Sequence, residues 1–122
     1  MQMALRIVAL LTLLLGAVLA LQLLGVVLVS GLVNMFHLLL GIATVILAFA
    51  ALSSALRDGA WRGIGAWFAV VPLVMGLLYY TNVIRLPVWI WLHVLMGLLA
   101  IGFIEMAFAR RRRLGRAPSE QL

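Results

Sequence analysis

The chain has 122 residues, 67% of them hydrophobic and 10% charged, with a mean hydropathy of +1.28. Soluble domains are about half apolar and a quarter charged, and disordered chains are poorer still in apolar residues, so both classes are excluded. No cysteine is present, which removes disulfides, thiolate metal sites, iron–sulfur clusters and thiol catalysis. The net charge is +6, all nine basic residues are Arg, and five of them fall in the last thirteen positions. The basic character therefore belongs to a tail and not to a nucleic-acid-binding face.

A membrane-spanning helix needs about 20 mostly apolar residues. Four stretches meet or approach this, at 7–29, 35–56, 64–80 and 88–109. The first is broken only by Thr12 and Gln22; the third is shorter and contains Pro72; the fourth is preceded by Pro87, which favours a first helical turn. None alternates with the period of two that strands require. The first run is too long for a signal peptide and has no clear cleavage site, so an uncleaved span is expected. Short connections favour antiparallel neighbours. The predicted fold is an all-α integral membrane protein: an up-down-up-down bundle over residues 1–109, with a basic, solvated tail over 110–122.

Arginine placement sets the orientation. Arg6, Arg57, Arg62, Arg110–Arg113 and Arg116 share one side of a four-span arrangement, and only Arg85 lies on the other. The positive-inside rule then puts both termini in the cytoplasm, with the chain integral to the cell (plasma or inner) membrane.

A weak repeat runs through the chain. Shifted by 56 residues, Phe36-His37-Leu38-Leu39-Leu40-Gly41 falls on Leu92-His93-Val94-Leu95-Met96-Gly97, and Arg6 falls on Arg62. Two parallel helical hairpins would be related by an axis along the membrane normal. The first span matches the third poorly at this shift.

The two histidines carry the chemical signal. Both lie inside predicted spans, and both are followed by Gly four residues later. A polar, ionisable group within a span points to function. Each lies about 5–9 Å below the outer end of its helix, so the two imidazoles can face each other at one level across a bundle. Zinc would need further ligands, and copper would need them too, which Met35 and Met75 could supply to Cu(I); haem iron takes four nitrogens from its porphyrin and two from the protein. Gly41 and Gly97, one turn deeper on the same faces, would leave room for a flat ring; ordinary close helix packing also uses such residues. Gly25 and Gly76 lie near the outer ends of the other two spans. Arg85, with Asn34, Asn82, Tyr79 and Tyr80, offers polar partners for haem propionates.

This arrangement of His37, His93, Gly25 and Gly76 resembles the four-helix haem-binding core of b-type cytochromes. The resemblance implies that His37 and His93 ligate one non-covalent haem b near the outer face, that the glycines admit the ring, and that the protein carries electrons or is a subunit of a larger redox complex. A single haem near one face cannot carry electrons across the bilayer alone. The implied partners are the lipid bilayer, other membrane subunits, and a quinone or an outer redox protein; no nucleic acid is expected. Two rivals remain at this level: a non-catalytic structural or assembly subunit, and a small transporter. The transporter lacks an acid in its first span, and Glu105 lies off the His93 face, where tail arginines can pair with it. No phosphate-binding loop, dinucleotide fingerprint or nucleophile elbow suggests a stand-alone enzyme.

The orientation has a direct check. Reporter fusions within residues 30–34 and at the C-terminus are expected to report opposite compartments, the C-terminal one cytoplasmic. Both reporting the same side would remove the four-span reading.

Overall fold

The computed structural model describes residues 1–57, 59 and 63–116, and among them it contains four α-helices and no strand. They are α1 (Gln2–Leu23), α2 (Gly31–Arg57), α3 (Ile64–Tyr80) and α4 (Pro87–Arg116). Three of them, α1, α2 and α4, are long and apolar enough to cross a membrane; α3 is apolar but has only 17 residues. The helix at 64–80 lies where the sequence places it. Arg62 and the end of the chain from residue 117 lie outside the described residues.

The first helix begins and ends earlier than its hydropathy suggests. Gly25 takes a left-handed conformation (φ 74°) just past the helix end. The Val26 N–H then reaches back to Leu21 O at 3.0 Å, and the Gly25 N–H to Gln22 O at 2.9 Å. This pair of bonds is a Schellman closure, which satisfies carbonyls that the helix leaves open. Val26–Val29 remain apolar but are not helical. The end of α3 repeats the device with Asn82 (φ 61°) in the glycine position. Its bonds run from Val83 N–H to Leu78 O and from Asn82 N–H to Tyr79 O, both 3.0 Å. Asn is among the few residues with a side chain that visit this region readily. The second helix begins four residues before the expected 35, at Gly31, and α4 runs on to Arg116, so the expected tail at 110–122 starts as helix.

Each helix packs on the next in chain order, while α1 and α4 barely touch. A close approach joins α3 to α4: a Cβ placed on Gly65 would lie 2.9 Å from the backbone nitrogen of Ile104. The close-packed core occupies the end of the bundle that carries α1's start and α4's finish. Leu5, Leu52, Ala66 and Phe108 are fully buried there, joined by Ala48 and Ala51 of α2. Alanines at these contacts let the helix backbones approach, which is how apolar bundles gain van der Waals contact.

Polar side chains clamp the same end. The Arg6 guanidinium donates to both carboxylate oxygens of Glu105, Nε to Oε1 at 2.7 Å and Nη2 to Oε2 at 2.5 Å. It also lies 5.8 Å above the Phe108 ring centroid. Among the described side chains Glu105 forms its ion pair with Arg6 at the start of α1, while Arg112 of the tail adds a favourable charge nearby; the parallel fork of the guanidinium matches the carboxylate. Arg111 donates from Nη1 to Ala51 O at 3.0 Å and from Nη2 to Ser54 Oγ, tying α4 to α2.

The Gly65 crossing generates a stability prediction. Gly65→Val forces α3 and α4 apart and is expected to cost about 1–3 kcal/mol. Gly102→Val, where an added Cβ meets nothing within 4 Å, is expected to leave stability unchanged or higher. Thermal unfolding in detergent, followed by helical circular dichroism, compares the two.

Candidate functional site: paired imidazoles in an apolar cavity

Opposite the packed core, the bundle is hollow. A cavity of about 1020 Å³ reaches from the α1–α2 and α3–α4 connections down to Ala69, Ala100 and Ile104. Its wall is mostly apolar, and both histidines line it. That volume lies at the upper end of the range for small-molecule and cofactor sites.

Helix register brings the histidines together. His37 is six residues after Gly31, the first residue of α2, and His93 six after Pro87, the first of α4. At about 1.5 Å per residue both rings sit about 9 Å into the bundle, at a common depth. Their centroids are 5.9 Å apart with the ring planes inclined at 73°.

Each imidazole rests on a glycine of the preceding helix. A Cβ on Gly16 would lie 3.0 Å from His37 Cε1, and a Cβ on Gly76 would lie 3.0 Å from His93 Cε1. One turn before each glycine stands a residue whose carbonyl faces the ring, Thr12 in α1 and Pro72 in α3. His37 Nδ1 lies 3.0 Å from Thr12 O. A carbonyl can only accept, so Nδ1 carries the proton and Nε2 keeps its lone pair free. The Thr12 hydroxyl donates to Val8 O at 2.8 Å, and its oxygen lies 3.1 Å from that of Thr44, which bonds Leu40 O. The hairpin α3–α4 is less complete. The Pro72 carbonyl lies toward His93, yet His93 Nδ1 is buried with no hydrogen bond of normal geometry.

The other expected site residues divide. Gly41 and Gly97 line the cavity; a Cβ on Gly41 would meet Leu73 at 3.5 Å, and one on Gly97 would meet nothing within 4 Å. Gly76 lines it and carries His93, as described. Gly25 does not: α1 has ended before it, and its left-handed turn places it outside the lining. Gly16, the residue that touches His37, takes the place expected of Gly25. Arg85 is exposed in the α3–α4 connection and is not part of the wall, whereas Asn34, Tyr79, Tyr80 and Asn82 are. The Trp89 indole N–H donates to Met75 O at 3.0 Å, fixing the start of α4 against α3 beside the cavity.

Among the described residues no third His, Cys, Asp or Glu joins the two imidazoles. Comparison with protein families, curated proteins and solved structures finds no match to this chain.

The glycine supports can be tested without any ligand. Gly16→Ala is expected to shift the Cε1–H resonance of His37, and Gly76→Ala that of His93, because the new methyl meets that atom. Gly97→Ala, which meets nothing, is expected to leave both in place. Two-dimensional carbon–proton spectra of the detergent-solubilised protein read all three.

Proposed function

We propose that the protein is a small membrane b-type cytochrome, or a haem-bearing subunit of a larger redox complex, in which His37 and His93 hold one haem b. The observation that carries this reading is the pairing of the imidazoles. Two imidazoles on opposite sides of one metal ion have centroids about 6.3 Å apart, from a metal–nitrogen bond of about 2.0 Å and about 1.15 Å from nitrogen to centroid. The observed 5.9 Å is close to this. A two-histidine set without further protein ligands suits an iron whose other four positions are filled by a porphyrin.

The surroundings agree with such a group. The cavity is large and mostly apolar; besides the histidines and the Thr12–Thr44 pair, polar residues line it toward the helix connections, among them Asn34, Tyr79, Tyr80 and Asn82. With Nδ1 of His37 committed to Thr12 O, the free Nε2 is the ligating nitrogen, oriented as outer hydrogen bonds orient metal-bound histidines. A bound haem supplies one-electron redox chemistry. Residues of this chain fix its ligands, shield it and place it near one end of the bundle.

All four helices cross the membrane in this reading, with both termini cytoplasmic and the histidines near the outer face. Held there, a haem would lie within reach of a quinone, an outer redox protein or a neighbouring subunit as electron partner. No cysteine is present, so the haem is held without covalent attachment.

Purified protein expressed with haem supply is expected to contain about one haem per chain with a low-spin bis-imidazole spectrum. His37→Ala and His93→Ala are each expected to abolish that spectrum while the helices still form. Normal haem content in either variant would overturn the ligand assignment. Colourless protein would favour a structural or assembly subunit, with the histidines as interhelical packing groups.

A further inference from the structure

The bundle is sealed on three sides and open on the fourth. The pairs α1–α2, α2–α3 and α3–α4 pack extensively, but α1 and α4 share few contacts, and the Arg6–Glu105 clamp and the Leu5–Phe108 core hold them at one end. Beyond the clamp the seam contains a pocket of about 210 Å³ formed only by α1 and α4. Four of its residues, Ala9, Leu13, Ile101 and Ile104, also line the histidine cavity. Seam and cavity thus share a wall. Higher along the seam the facing residues are small or open: Ala17 of α1 lines the cavity and is exposed, and a Cβ on Gly97 of α4 would meet nothing.

The geometry points to the α1–α4 seam as a lateral portal through which a flat, lipid-dissolved amphiphile of the porphyrin class passes from the bilayer into the histidine cavity. This rests on the haem reading for the identity of the ligand. Three features define the portal. The seam faces the lipid phase, where an apolar ring with two acidic groups partitions. It opens at the level of the histidines: α1 and α4 are antiparallel and level at Arg6 and Glu105, so Ala17 and Val94, each eleven residues from the clamp, are level with each other and next to Gly16 and His93. The clamp holds the two helices together at one end, so the other end can part without separating the bundle.

Because the chain has no cysteine, a double substitution gives a unique cross-link. The full-length variant Ala17→Cys/Val94→Cys is prepared without haem and joined by a short bis-maleimide containing a cleavable disulfide. Haem, and in parallel metal-free protoporphyrin IX, is offered in lipid vesicles, and uptake is read by absorbance and by porphyrin fluorescence. Unlinked protein is expected to take up both. Linking before loading is expected to abolish uptake, cleaving the linker to restore it, and linking after loading to trap the ligand against extraction by excess apomyoglobin. Uptake by the linked protein at the unlinked rate would overturn the portal, since the ligand would then pass between the helix connections. If only the metal-free porphyrin is taken up and the link blocks it, the portal stands and the haem assignment falls. If neither porphyrin is taken up by unlinked protein, both fall.

Discussion

An imidazole inside an apolar bundle must be given polar contacts and room at once, and the arrangement of these four helices follows from that requirement. A side chain on α1 at position 16, or on α3 at position 76, would strike the His ring beside it. With glycine there, each ring lies against the neighbouring helix within reach of a backbone carbonyl one turn earlier. Packing and hydrogen bonding are therefore set by the same short segment. Leaving such a buried group without its bond costs about 1–3 kcal/mol. That cost is met for His37 by Thr12 O and remains at His93 Nδ1. The two halves share a plan but not its completion.

The far end of the molecule works by the opposite logic. Around Leu5, Leu52, Ala66 and Phe108, apolar side chains fill the space between helices, and Arg6 with Glu105 closes the ring of four. Charge serves here as a fastening between the first and last helices, which otherwise share little surface. One bundle thus has a compact end and a hollow end, and the compact end carries the fold.

Much of this was legible in the sequence, and the residues that were not share a cause. Hydropathy located four helices, and the paired His and Gly spacing identified the two groups that the fold brings within 5.9 Å. By sequence Gly16 falls in the inner half of the first span, where no ring is expected, yet it lies against His37; the repeat is not uniform. His37 and His93 are 56 residues apart, but Gly16 and Gly76 are 60 apart, as are Thr12 and Pro72. A single shift cannot align both helices of the hairpin, because α1 and its connection are together four residues longer between glycine and histidine. Gly25 attracted attention by lying near the end of a continuous apolar run. Hydropathy does not register that a glycine can end a helix by turning left-handed while the apolar run continues to Val29. The Arg6–Glu105 pair spans nearly the whole chain, and no local pattern announces it.

The brevity of α3 bears on the membrane that would suit this protein. Its 17 residues extend about 26 Å, against a hydrocarbon layer of about 30 Å, while α2 with 27 residues exceeds it. Gly76 is consequently four residues from its helix end where Gly16 is seven from its own. Lipid around such a body meets a short side and a long side. Were α3 to cross a bilayer with the other three, the lipid would have to thin next to it, or Asn82 and the tyrosines before it would have to sink toward the acyl chains. Hydrophobic mismatch of this kind would favour thinner bilayers.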